Sequence, residues 1–314
     1  EFHRDAKLYF ASVFSSLMGE DFSVNVSTRA VAGVLIVGEQ CIVSLDETMD
    51  RAMEFTGTAN VTADCGVAAN STSSEAVYIG GNATLVADPA HAVGDIAVSG
   101  TGTLVTASPV QSYAEPIADP FTYVTTPADT ACDYTNVVVT ADNAVLPPGK
   151  YCGDLEIKAN NVVFSSGTYV IYDGDFVTNA NSSMTGDEVT FVLTGSAPSN
   201  IGTLKMNGST DAVFSAPLTG FYRGILFYQD RLATYMGDTG IINGGSDVTF
   251  DGAVYFPSQE INFTGGSSVA PACLMIFSAK VTFSGDSHVG NDQSSCQALG
   301  LDGMSAQQRV QLVE

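Results

Sequence analysis

The chain has 314 residues, with 34 Asp plus Glu against 11 Lys plus Arg and a formal net charge of −23. A surface this acidic repels nucleic acid and anionic lipid, so neither is expected as a partner. No apolar stretch reaches the roughly 18 residues a membrane-spanning helix requires, so membrane contact is expected only through a segment outside this chain.

Hydrophobic residues make up 45 % and charged residues only 14 %, with 31 Gly and no Trp. Such a composition favours strands and turns over helices. In chain order, the first element is an exception. Phe10, Val13, Phe14, Leu17 and Met18 fall at helical spacing behind Asp5 as N-cap, predicting an amphipathic helix within residues 1–22. That segment is expected to cap the rest of the molecule or to dock onto a partner, with Phe10, Phe14 and Leu17 as assembly contacts.

Residues 23–314 read as one β domain. Val24, Val26, Val31, Val34, Leu35, Ile36 and Val37 predict strands leading into regular coils. Around Gly57, Gly80, Gly81 and Gly100 a strand, a Gly or Asn turn and a second strand recur, as a tight corner requires. Between 108 and 150 the period lapses, and Pro109, Pro116, Pro120, Pro127, Pro147 and Pro148 predict an extended excursion. The stack is expected to resume at Leu155-Glu156-Ile157, with strands about every seven residues and hence three faces per coil.

Towards the end the repeat is explicit. Ile261, Phe263, Gly265 and Val269 return as Val281, Phe283, Gly285 and Val289. Ile241 and Gly245 are expected one repeat earlier, and Ala253-Val254-Tyr255-Phe256 is expected opposite Cys273-Leu274-Met275-Ile276. A fixed period of about 20 residues predicts an all-β fold, a right-handed parallel β-helix whose coils stack on one another.

The six cysteines obey the same period. Coils about 4.8 Å apart offer the Cα separations of about 4.4 to 6.8 Å that disulfides need. The expected pairs are Cys41 with Cys65, Cys132 with Cys152, and Cys273 with Cys296, which imply an oxidising compartment, periplasmic or extracellular. His3, His91 and His288 are scattered and there is no CxxC, so a metal site is disfavoured.

Two clusters are candidates for chemistry. Asp173 and Asp175 flank Gly174 and form either a carboxylate pair, for acid–base work or Ca²⁺, or a corner turn; the turn is preferred. Arg223, Asp230 and Arg231 border the most aromatic segment and are candidates for sugar contact, with a loop pinned by an ion pair as the preferred alternative. No nucleophile motif accompanies the histidines, and the Gly-Gly-Ser turns lack a P-loop lysine, so neither a catalytic triad nor a nucleotide site is expected.

Six motifs follow one another along the chain: Cys41-Ile42-Val43-Ser44-Leu45-Asp46, Cys65-Gly66-Val67-Ala68-Ala69-Asn70-Ser71, Pro148-Gly149-Lys150-Tyr151-Cys152-Gly153, Gly167-Thr168-Tyr169-Val170-Ile171, Gly224-Ile225-Leu226-Phe227-Tyr228-Gln229-Asp230-Arg231 and Gly252-Ala253-Val254-Tyr255-Phe256-Pro257. As a set they resemble the C-terminal extracytoplasmic region of TadE/TadG-like Flp (tight adherence) pilus-assembly proteins. The resemblance spans 40–314. It implies an envelope-associated β-solenoid tethered by an N-terminal membrane helix, which this chain lacks, and no catalytic residues. The expected function is therefore structural and non-enzymatic, in surface assembly or adhesion, with copies of itself or pilus and envelope proteins as partners. The alternative is a β-helix that binds or cleaves polysaccharide.

Overall fold

The computed structural model describes residues 2–6, 24–28, 31–37, 39–234, 239–243, 247–269, 272–301 and 307–313. It divides into two compact units, 38–306 and a smaller one made of 1–37 with 307–314. In the smaller unit Phe2–Ala6 runs antiparallel to Val24–Thr28, and Val31–Val37 antiparallel to Gln307–Val313. Asp5 is therefore not a helix cap but a strand residue opposite Asn25. Pairing with the β-branched 24–28 run holds it there. Phe10, Phe14 and Leu17 lie outside the described residues.

The larger unit is all-β apart from short helical turns at 198–200 and 293–299, and its strands pair in parallel. One ladder runs through it without a break: Val98, Ile79, Phe55, Phe283, Phe263, Ile242, Met206, Thr178, Ile157 and Val139 are successive partners. The numbers fall from 98 to 55, jump to 283, then fall again to 139. The chain thus enters the stack in its middle at Gln40–Ser44 and advances layer by layer to Thr103–Val105 at one end. Residues 106–133 carry it to the opposite end, where Tyr134–Val139 begins a second run. That run advances in the same direction until 274–291 lies against 40–63.

Each layer contributes to three ladders. The first holds Val67, Ile42, Ile276, Val254, Phe227, Phe191 and Tyr169. The second is the ladder traced above. The third holds Leu104, Leu85, Val61, Val289, Val269, Val248, Ala212, Met184 and Val162. Gly149–Ile157 and Asp247–Phe263 bend at corners and pair on more than one face. With 167–172, 176–178, 189–194, 204–206, 225–229 and 239–242 they close a ring of eight parallel strands.

The core lies inside these faces, because alternate strand residues point inward and neighbouring strands hold them in register. Like side chains therefore stack. Phe191 lies 5.0 Å from Phe227, and Phe283 lies 4.9 Å from Phe263 and 5.1 Å from Phe55, all near-parallel rings. Burial of each such ring contributes about 2 to 3 kcal/mol. Thr178 is the polar member of its ladder, and its hydroxyl is satisfied by Thr210 at 2.8 Å. Where the chain turns towards the third ladder, Gly57, Gly81, Gly100, Gly265 and Gly285 all adopt left-handed φ between 64° and 69°. A Cβ at Gly57 would stand 2.8 Å from the Gly285 nitrogen, so the column admits no side chain.

Register corrects the sequence reading in two places. Ile261 meets Val281 and Ser268 meets His288 at the expected offset, but Ile241 meets Asn262 and Ala253 meets Met275. Corner loops differ by a residue or two while face alternation fixes the register within strands. The slip between Phe256 and Glu260 coincides with Pro257, which has no N–H to give the ladder. The stack also resumes at Tyr134, not at Leu155: Val137–Val139 pair with Leu155–Ile157 after a bulge at Asn136, whose φ is 48°.

The six cysteines form the pairs their spacing predicts, Cys41–Cys65, Cys132–Cys152 and Cys273–Cys296, with Cα separations of 5.8, 5.8 and 4.8 Å. Three disulfides indicate an oxidising environment, extracellular or periplasmic. Among the described residues no helix is long and apolar enough to cross a membrane.

Candidate functional site

The Pro-rich segment forms a strap across the outer side of the first face. It is extended around the prolines at 116 and 127 and turns at 120–123, and the backbone groups of the extended stretches must find partners elsewhere. They find backbone and side-chain groups of the layers they cross. Gln111 bridges to His91, and the Asn70 amide both donates to the Ile117 carbonyl at 2.9 Å and accepts from its N–H at 2.8 Å. Phe121 is fully buried, edge-on to Tyr255 at 5.3 Å and to Phe277 at 5.4 Å.

Arg231 is the latch of this strap. Its guanidinium donates to the Val124 carbonyl at 2.9 Å and to the Phe121 carbonyl, and pairs with Asp119 at 3.5 Å. Tyr255 donates to Asp119 at 2.7 Å and Tyr228 to the Val124 carbonyl at 3.0 Å. Burial works against the charge on Arg231, but Tyr255, Tyr228 and Asp119 hold its pKa above the ordinary value. Tyr222 donates to the Thr125 carbonyl at 2.7 Å, and burial pushes its hydroxyl up to about 12, so it remains a donor across the physiological range.

Between the strap and the first face lies a cleft of about 670 Å³ whose lining includes Lys150, Tyr172, Ser196, Tyr222 and Asp230. Its charges are engaged. The buried Lys150 ammonium donates to the Thr130 carbonyl at 2.7 Å, pairs with Asp129, and sits 3.7 Å from the Tyr172 ring centroid. Asp230 accepts from the Thr194 hydroxyl at 2.8 Å and the Leu232 N–H at 3.0 Å.

The other sequence candidates also serve structure. Asp173, at φ 57°, accepts the Ser196 N–H at 2.6 Å; Asp175 accepts the Thr203 N–H at 2.8 Å and pairs with Lys205. The two carboxylates are thus directed to different neighbours at a corner. Arg223 donates to the Ala298 carbonyl at 3.0 Å, completing the end of the helix Cys296–Leu299, rather than flanking a sugar site with Arg231. His91 is buried with Nδ1 3.5 Å from the Gln40 amide, His288 is an exposed partner of Asp286 at 3.5 Å, and the side chain of His3 lies outside the described residues. Among the described residues, no group of three or more His, Cys, Asp or Glu is placed to hold a metal ion.

A second groove, of about 750 Å³, runs along the outer side of the third face, floored by Val163 and Val213 and rimmed by Asp187, Asp251 and Asp292. Burial raises the Asp251 carboxyl, offset in part by the Cys273 N–H that it accepts at 3.1 Å. A raised folded pKa means that ionisation of Asp251 opposes folding once pH exceeds its ordinary carboxylate value. Asp251→Asn keeps the accepted hydrogen bond and removes that cost. It should raise the melting temperature at neutral pH, with an advantage that shrinks as pH falls through the range between the ordinary and raised values; an advantage independent of pH would refute the assignment.

The residues that position the strap, Asn70, Asp119, Phe121 and Tyr255, escaped sequence reasoning. The available signal was a lone large apolar residue, Phe121, inside a Pro-rich extended run. No family model, curated protein or solved structure matches the chain.

Proposed function

We propose that the chain is a non-enzymatic structural protein of the cell surface or extracellular space, a right-handed parallel β-helix acting in assembly or adhesion. Its resemblance to TadE/TadG-like pilus-assembly proteins makes tight-adherence machinery the proposed setting. The handedness follows the general rule for parallel crossovers. The observation that carries the reading is the use made of the charged candidates: Arg223, Arg231, Lys150, Asp173, Asp175 and Asp230 all hold strap, helix end or corner. Groups so engaged are poorly placed to move protons or bind a transition state.

Electron microscopy of the purified chain across a salt series tests this reading. With a net charge of −23, copies repel until salt shortens the screening length to roughly 8 Å or less. Ordered polymers that grow with salt are expected. Dispersed particles at every salt concentration, together with binding or cleavage of an acidic polysaccharide, would replace it with the carbohydrate reading. Tyr172 and Tyr222 in the strap cleft favour that second reading, since sugars stack on aromatic faces.

A further inference from the structure

The two ends of the parallel stack are unfinished in the same way. Among the described residues, Ile96–Val98 and Thr103–Val105 at one end pair only with the layer behind them; at the other, Tyr134–Val139 and Val145–Leu146 do the same. Most inward side chains that are fully covered in the middle of a ladder are less covered here. Ile79 and Phe55 are 0 % exposed, whereas Val98, next in the same ladder, is 50 % exposed; at the far end Val139, which closes that ladder, is 7 % exposed, and Tyr134, on the first face, is 37 % exposed. Ile96 and Leu104 at one end, and Val137 and Leu146 at the other, are only partly covered.

Exposed strand edges usually carry blocking devices such as lysine or proline. Neither residue, nor any other charge, occurs in 96–98, 103–105, 137–139 or 145–146. Among the described residues, only the first face is closed at the 96–105 end, by Gln111 on His91. The polarity of the stack selects the occupant. Because every layer advances in one direction, the 134–146 end presents what each layer already presents to the one before it.

We infer that copies of this chain stack head to tail, the 96–105 end of one adding to the 134–146 end of the next, so that the second and third ladders run on from molecule to molecule. Extending the observed register puts Val98 beside Val139, Ile96 beside Val137 and Val105 beside Val145 of the neighbouring copy. This contact joins two different surfaces and does not close on itself, so it generates filaments rather than dimers. Asp88 and Asp95 stand near one end and Asp133 and Asp142 near the other, so the contact forms only once salt screens them. The inference rests on the structural reading above and specifies its interface.

Paired cysteines test it. The chain's own six are all in disulfides, so V105C/V145C introduces one reactive pair per predicted contact, on outward side chains that are 48 % and 64 % exposed. Oxidation at salt that cuts the screening length to about 3 Å should give a ladder of covalent multimers from the double variant and none from V105C or V145C alone. Covalent dimers of V105C alone, as abundant as the double variant's multimers, would mean like ends meet, overturning the inference. Filaments seen by microscopy without cross-linking would also overturn it while leaving the structural reading intact. Monomers at every salt concentration that bind acidic polysaccharide would remove both. Should the cysteine variants fold poorly, Val98→Lys is expected to abolish assembly at unchanged monomer melting temperature, while Val213→Lys on the third-face groove is not; assembly surviving Val98→Lys would overturn the inference.

Discussion

Phe121→Ala should release the strap and destabilise the chain by about 3 to 5 kcal/mol, the range for emptying a fully buried phenylalanine site. Phe121 is 0 % exposed and packs edge-on against Tyr255 and Phe277, which belong to adjacent layers. Its loss leaves a cavity between strap and face, and with it the register that presents the Phe121 and Val124 carbonyls to Arg231. Limited proteolysis reads this most directly. Cleavage within 112–133 should accelerate by well over tenfold while the 149–283 layers stay protected, because local opening follows the free energy of the local contacts. Equal cleavage rates in variant and parent would mean the strap is held by its hydrogen bonds alone.

Gly202→Val is expected to be at least as damaging, and for the opposite reason. A Cβ on Gly202 would lie 1.9 Å from the Gly174 carbonyl oxygen, and one on Gly174 would lie 2.2 Å from the Gly153 carbonyl carbon. What stands in the way is backbone, which cannot swing aside, so three layers would have to spread at that corner. Overpacking of this kind costs about 3 kcal/mol or more. Ser199→Ala, at an exposed position in the same loop, should be neutral within about 0.5 kcal/mol. Chemical denaturation compares the two, and a Gly202→Val chain as stable as Ser199→Ala would show that the corner can open.

The residues at 173–175 illustrate what local sequence can convey. Asp-Gly-Asp was legible as a corner, because Gly174 must let two other backbones approach and the flanking carboxylates accept corner N–H groups. The pairing of Ile261 with Val281 and the three disulfides were legible for a related reason: neighbours in the stack are also neighbours in sequence, about one period apart. What could not be read was layer order. Any layer edge offers the same unpaired groups and the same apolar alternation, so nothing local marks 40–63 as the partner of 274–291. The strap contacts were hidden likewise, since Asp119 reaches Tyr255 across 136 residues and Thr125 reaches Tyr222 across 97. Arg231 was read as a candidate sugar contact or as part of a loop pinned by an ion pair; its ion-pair partner, Asp119, lies in the strap rather than in its own loop.

The jump in layer order has a consequence for how the chain is made. Synthesis delivers residues 40–105 before 274–291, yet one edge of that earlier block stays bare until the 274–291 segment arrives; Thr58, for example, waits for Gly285, 227 residues later. For most of its birth the protein therefore carries a sticky, strand-templating margin at what will become its mid-section. Completing the stack takes the pairing of its last-made layer with its first-made one, a closure that a chain stopped short of residue 274 could never perform.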